Sequence, residues 1–513
     1  MKKLIVLFCF VIFITALFAI PFLTPIKPVV LKTLSTDLNQ DKESGASLAK
    51  LYCASCHLFP SPSLLDQTTW KNKVLPNMAW RLGIRAGYAS PYHDMDSSEV
   101  RLVKVANIYP NNPIISITQW KKIFNYYIIN APKDPKSIKF LPLIQKRASQ
   151  FIAQPIFIED KELPKTTMVK FDSIHSLLYI GDARGELYAL NSRLKLDHKW
   201  VYPSAPVDMH FQSSNSEVLC IGSVAPTEKK EGVLFTLDSS IILSTLARPV
   251  SMEYADLNAD GKLDLIICEF GNHTGKLTWY DGGDRLKENI LLSRPGARKL
   301  EIVDLNKDGK LDLIVLMAQA QEGIYYFENL GKNKFKESVL INFPPVYGLS
   351  YFELVDFNKD GFLDILLTNG DNWDLSRVKK NFHGVRIFMN NGRNQFTQTF
   401  FFPLYGTSKA LARDFDDDGD LDIAAISFYD ELEKPEEGFV YLKNMGNNYF
   451  EAFSTPAAAN GKWLTMEVGD IDKDGDIDII LGSFIYSIAE MMGLINKGVE
   501  HFPQLLLLTN IKK

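Results

Sequence analysis

Residues 256–264 read Asp-Leu-Asn-Ala-Asp-Gly-Lys-Leu-Asp, and the same nine-position pattern returns at 304–312, 356–364, 414–422 and 470–478. The starts lie 48, 52, 58 and 56 residues apart, the period of a repeated supersecondary unit. Every copy places an oxygen-bearing side chain at positions 1, 3, 5 and 9. These are Asp256, Asn258, Asp260 and Asp264; Asp304, Asn306, Asp308 and Asp312; Asp356, Asn358, Asp360 and Asp364; Asp414, Asp416, Asp418 and Asp422; and Asp470, Asp472, Asp474 and Asp478. Gly at position 6 permits a sharp turn, so the backbone carbonyl of position 7 (Lys262, Lys310, Phe362, Asp420 or Asp476) can face the same centre. An all-oxygen, flexible loop suits Ca²⁺ better than Mg²⁺, which prefers water and strict octahedral geometry. Up to five calcium ions are therefore expected. A metal-free Asp-Gly hairpin turn is the plainer alternative, but carboxylates converging at roughly 4 Å without a cation repel strongly. The first three loops carry Asn at position 3 and the last two carry Asp, so charge alone predicts tighter binding in the last two.

The loop begins like an EF-hand and ends differently. Position 12 is Ile267, Val315, Leu367, Ala425 or Leu481 in place of a bidentate Glu. Position 9 leads into apolar runs such as 265–268 (Leu-Ile-Ile-Cys), which are strand sequences. A strand enters each loop, a buried strand leaves it, and a third carrying an aromatic follows, as at 277–280 (Leu-Thr-Trp-Tyr) and 324–327 (Ile-Tyr-Tyr-Phe). Turns such as Asn329-Leu330-Gly331 then precede Phe335, Phe396 or Phe450. That is a four-stranded antiparallel unit of about 50 residues, the size of a propeller blade. Over 249–513 these repeats resemble the FG-GAP and VCBS families, as in the integrin α-subunit head, and the resemblance implies calcium-bearing blades. The stretch 166–248 lacks the acidic loop but keeps the rhythm. Its segment 178–190 resembles a blade of the quinoprotein-dehydrogenase type, and 218–223 aligns with the second strand of the next blade. Two metal-free blades and five acidic ones make seven, and a closed ring leaves no exposed sheet edge. Cys220 and Cys268, at matching blade positions, read as buried thiols.

Residues 53–57 read Cys-Ala-Ser-Cys-His. Two thiols three positions apart can add across the vinyl groups of one haem while the adjacent His57 coordinates the iron. A thioredoxin-like pair would need a βαβ context, and a zinc site would need a second Cys/His pair; neither is visible. Residues 45–52 read as a short helix with Leu48, Leu51 and Tyr52 on one face. Residues 116–130 read as a stronger one, opened by a Ser116/Gln119 capping box and ended by Pro132. Over 40–132 this arrangement resembles a small class I cytochrome c: covalent haem at Cys53 and Cys56, His57 as proximal ligand. The resemblance implies a methionine opposite, and Met78, in Leu75-Pro76-Asn77-Met78, is the favoured sixth ligand, with Met95 and His93 as rivals.

Lys2 and Lys3 precede an apolar run from Leu4 to about Ile26, an export signal or N-terminal membrane anchor over 1–26. Cys9 is read as an apolar residue of that run. The Pro- and Lys-bearing stretch 133–165 reads as a linker to the propeller at 166–513. The expected architecture is thus multidomain: a small all-α cytochrome c domain and an all-β propeller. Of 513 residues, 46% are apolar and 23% charged, with 56 Lys plus Arg against 61 Asp plus Glu, a formal charge of −5. That balance excludes a broad basic surface for nucleic acid. Five cysteines exclude a disulfide scaffold. The expected function is single-electron transfer outside the cytoplasm, periplasmic or at the cell surface, toward a redox partner protein, with the propeller docking that partner or a ligand. Two alternatives stand beside it. One is a quinohaemoprotein-type dehydrogenase whose propeller oxidises an alcohol, sugar or amine. The other is an adhesion or polysaccharide-binding protein of the cell surface.

Overall fold

The computed structural model describes residues 43–511 apart from 86, 138–141, 146, 160–162, 213–214, 372–377 and 430–433, with backbone alone at 285, 286 and 436. The expected N-terminal segment 1–26, with Cys9, lies outside the described residues. Seven antiparallel sheets form the body of the molecule. Their innermost strands touch in sequence around a closed ring, the seventh returning to the first. The blades occupy residues 166–201, 206–246, 249–292, 297–342, 349–403, 407–453 and 463–510, so the protein is a seven-bladed β-propeller.

The strand pattern explains the ring. In blade 3, the second strand Asp264–Glu269 is buried along its whole length. Successive side chains point to opposite faces, so Leu265 and Ile267 pack on blade 2 while Ile266 and Cys268 pack on blade 4. The same alternation makes one apolar cluster between each pair of neighbouring blades. Cys220 belongs to the cluster between blades 1 and 2 and Cys268 to that between 3 and 4; both are free, buried thiols.

The boundary expected at 166 is corrected. Phe151–Ile156, inside the stretch assigned to a linker, is the outermost strand of blade 7, antiparallel to Leu505–Asn510. Ile144–Gln145 adds a parallel strand to blade 6. The cause is the unpaired edge that the C-terminal strand would otherwise expose. Pro155 is tolerated because the strand is outermost and needs partners on one side only.

Residues 43–131 are helical. Gly45–Cys53 is capped by Ser44, and Ile117–Asn130 by the Ser116/Gln119 box, in which both reciprocal bonds form. The expected face of the first helix is corrected by one position. Leu51 is 62% exposed, and the buried residues are Leu48 and Ala49. The helices pack through small residues: a Cβ at Gly45 would lie 2.3 Å from the Lys122 carbonyl oxygen. Between them runs a helix interrupted by a π turn at Trp70–Val74, followed by Leu75–Arg81. Pro76 has no N–H to donate and crowds the carbonyl four residues back; the Leu75 N–H reaches five residues back to Trp70 instead. Trp70 and Tyr127 fill the centre, ring centroids 4.4 Å apart.

Candidate functional site

All five acidic loops join the first and second strands of their blades, so they share one face of the propeller. Each has position 6 at φ +82° to +97° and position 4 at +59° to +69°. Glycine supplies the first. The second is borne by Ala259, Lys307, Lys359, Asp417 and Lys473, a left-handed residue that sequence reasoning missed. In the first three loops the position 5 N–H donates to both the position 1 and position 3 side chains, at 3.0 to 3.1 Å. In the last two, the carboxylate oxygens of Asp414, Asp416 and Asp418, and of Asp470, Asp472 and Asp474, lie within 4.8 Å of one another. There Asp414 Oδ1 and Asp470 Oδ1 are buried without a hydrogen-bond donor. Burial, with Asp474 and Asp470 beside it, pushes the Asp472 carboxyl up. Orphaned, crowded oxygens on a left-handed turn fit a cation.

Position 9 also reaches back into the blade. Asp264, Asp312, Asp364, Asp422 and Asp478 are fully buried. In each, Oδ1 accepts a backbone N–H beyond the loop: Gly282, Asn329, Asn390, Asn444 and Asn510, at 2.7 to 2.9 Å. In four of them Oδ2 accepts from the position 2 N–H, and in Asp422 from Tyr441. These carboxylates staple the loop to the blade. Burial pushes Asp422 up to about 7 and Asp478 to about 6.

The second cluster lies at the end of helix Gly45–Cys53. Cys53 and Cys56 are free thiols, Cys53 half-buried and Cys56 exposed. Burial pushes the Cys53 thiol up, opposed by the Tyr127 hydroxyl. His57 Nδ1 donates to the Leu58 carbonyl at 2.9 Å, which leaves Nε2 as the lone-pair nitrogen. Burial and the Arg81 guanidinium hold this imidazole below its ordinary range, in the neutral form a metal requires. Cys53 and Met78 pack on one apolar cluster around Trp70, Phe124 and Tyr127. Met95 packs on another, with Trp80, Val103 and Tyr109. Both ring nitrogens of His93 are engaged, Nε2 with Asp94 and Nδ1 with the Ser90 carbonyl. Two thiols, an oriented imidazole and an adjoining apolar, aromatic wall fit a haem.

This cluster faces the propeller on the side opposite the acidic loops. Its contacts are loops joining second to third strands: Thr227 and the Glu228 N–H to Glu99, Lys229 to Asp96 at 2.7 Å, His273 to Arg81 at 3.3 Å, and Gln321 Nε2 to the Cys56 carbonyl at 2.9 Å. No sequence signal marked these loop residues.

An FG-GAP-like repeat model matches residues 256–315, 304–367 and 414–481, and all five acidic loops fall inside those matches. The chain carries FG-GAP-like repeats on a seven-bladed propeller. No curated protein matches the sequence. Among solved structures, the Pan2 WD40 domain of Neurospora crassa is 9% identical with a TM-score of 0.42, covering 72% of this chain and 100% of that one. The computationally designed Ika8 protein is 7% identical with a TM-score of 0.38, covering 64% and 83%.

Proposed function

We propose that this is an exported electron-transfer protein: one haem held covalently by Cys53 and Cys56 and ligated by His57 and Met78, docked on a calcium-stabilised propeller. The observation that carries the reading is His57, whose Nδ1 is committed to a backbone carbonyl and whose Nε2 is free beside two unpaired thiols. When bound, a haem supplies reversible one-electron chemistry at its iron. The chain's own residues do the rest. Leu58 fixes the imidazole tautomer, burial with a smaller contribution from Arg81 keeps the ring neutral, and the cluster around Trp70 and Tyr127 excludes water. Calcium in the acidic loops tightens the connection between first and second strands of blades 3 to 7 and leaves the opposite face to the helical segment. A redox partner protein would meet the haem there.

The test is expression with export in a host that attaches haem. The purified protein should carry one haem that survives denaturing electrophoresis, and Cys53→Ser with Cys56→Ser should lose it. A wild-type chain without covalent haem would sink the proposal. Substrate-dependent haem reduction after adding pyrroloquinoline quinone and alcohols, sugars or amines would replace the carrier reading with a dehydrogenase.

A further inference from the structure

Neighbouring acidic loops are joined by side chains that run from one blade to the next. An asparagine amide has two N–H donors and one acceptor oxygen. Asn510, fully buried at the end of the third strand of blade 7, gives both donors to carbonyls. Its Nδ2 donates to the Phe415 carbonyl at 2.6 Å and to the Ile477 carbonyl at 3.2 Å. Phe415 is position 2 of the loop at 414–422, and Ile477 is position 8 of the loop at 470–478. The Asn510 backbone N–H also donates to Asp478 Oδ1 at 2.9 Å. One residue thus grips both of the loops whose carboxylate oxygens crowd within 4.8 Å. A second donor, Gln150 Nε2 at 2.7 Å, completes the partners of the Phe415 carbonyl.

The arrangement recurs along the series. Asn329 Nδ2 donates to the carbonyl of Leu257, again position 2, at 2.8 Å and to that of Leu311 at 3.0 Å, while its backbone N–H donates to Asp312 at 2.7 Å. Lys307, in the left-handed region at position 4, sends its Nζ to the Gly361 carbonyl of the next loop at 2.9 Å. Lys359 reaches the Gly419 carbonyl in the same way. The five loops from blade 3 to blade 7 are therefore linked, each to the next.

We propose that calcium binds neighbouring loops cooperatively and that Asn510 couples the last two, so that filling one raises the affinity of the other. This rests on the calcium reading above and deepens it. In sequence the Phe415 carbonyl lies between Asp414 and Asp416, and the Ile477 carbonyl adjoins Asp478. A cation that draws the first pair of carboxylates together fixes the carbonyl that Asn510 meets, and Asn510 then holds the second loop in place. The second ion has less chain to order and binds more tightly. Charge alone gives the opposite sign, because two divalent cations repel, weakly beyond a Debye length of about 8 Å. A positive coupling therefore reports the hydrogen bonds.

The experiment is hydrogen exchange of the full-length protein, read by mass spectrometry at rising free calcium, which gives a midpoint of protection for each loop separately. In the wild type, peptides over 414–422 and 470–478 should gain protection together. Asp470→Asn should raise the midpoint at 414–422 by at least about fivefold, the low end of coupling between sites. Asp414→Asn should raise the midpoint at 470–478 by the same factor, as linkage requires. The loop at 256–264, at the far end of the series, should not move. Asn510→Ala should abolish both shifts. Asn510→Thr, which keeps one donor, should retain part of them and serves if Asn510→Ala does not fold. A midpoint at 414–422 that Asp470→Asn leaves unmoved or lowers overturns the proposal with the calcium reading intact, and shifts that survive Asn510→Ala overturn the role of Asn510. A wild-type chain in which no loop gains protection with calcium overturns both readings.

Discussion

Gln321 Nε2 donates to the carbonyl oxygen of Cys56 at 2.9 Å, joining two points 265 residues apart in sequence. Gln321 is itself held: Arg294 donates to its side-chain oxygen and is paired with Glu337. The contact is solvent-accessible, so its net worth falls at the low end of the range of about 0.5–1.5 kcal/mol for one hydrogen bond. Gln321→Ala should leave global unfolding within about 1 kcal/mol of wild type and should speed amide exchange across residues 54–58. Unchanged exchange there, measured by mass spectrometry, would show that the blade 4 loop does not hold the motif.

Phe151 anchors the outermost strand of blade 7 in the cluster shared with blade 6. It is 7% exposed and meets Tyr441 edge-on at 5.1 Å and Phe415 at 5.9 Å. Among the described residues, its strand is the one that covers the outer edge of the last blade. Phe151→Ala should cost about 3–5 kcal/mol, the range for truncating a buried aromatic. Urea unfolding with a fitted slope checks it. A loss below about 1 kcal/mol would mean that the ring tolerates an open seventh blade.

How much of this was legible in the sequence follows from how local each signal is. Asp256 to Asp264 and its four copies carry their geometry within nine residues, so loops, blades and the count of seven could be read directly. The role of Asp264 and its equivalents could not, because the amides they accept lie at or just beyond the end of the blade's third strand. The outermost strand Phe151–Ile156 was hidden for the same reason: its partners are 349 to 359 residues away and Pro155 argues locally against a strand. Leu51 misled because an apolar residue at helical spacing does not say which side a neighbouring helix will take. Small Gly45 and Ala49 decided that. His273 carried no pattern at all; its position depends on three loops meeting.

Glu322 is fully buried and burial pushes its carboxyl up to about 8, against the Leu349 and Gly348 amides that favour the charged form. A folded pKa above the unfolded value means that the native state holds the proton more tightly. The stabilisation is present below the ordinary glutamate range and is lost as pH rises through about 8. Urea midpoints of wild type should therefore fall between pH 5 and 8 more steeply than those of Glu322→Gln, which stays neutral and keeps an acceptor for Leu349. Parallel profiles would show that Glu322 is already ionised in the fold.

Calcium should report on the loops unequally. The buried oxygens of Asp414 and Asp470 without donors mark the last two loops as those that gain most from a cation. Chelation should lower the unfolding temperature. Calcium at one hundred times its dissociation constant should restore roughly 2.7 kcal/mol per site. Asp470→Asn should remove the tightest class of site in a calorimetric titration, and Asn258→Ala should leave that class intact. Equal loss from both variants would mean that loop charge and orphaned oxygens do not rank the sites.

Met78 shares its apolar cluster with Cys53, and that neighbourhood favours it as the proposed distal ligand over the other two. Met95 sits in a separate cluster with Tyr109. His93 would have to surrender two hydrogen bonds, to Asp94 at 2.7 Å and to the Ser90 carbonyl at 3.0 Å, before an imidazole nitrogen could turn to iron. A thioether holds no such bonds and loses none on ligation. A methionine sulfur also raises the potential relative to a second imidazole. In the haem-loaded protein, Met78→Ala should abolish the sulfur–iron charge-transfer band and lower the midpoint potential. Met95→Ala and His93→Ala should leave the band in place. A band that survives Met78→Ala and vanishes with Met95→Ala would move the ligand to the loop at 91–97 and require the segment before helix Ser97–Val105 to reach across the Trp80 cluster.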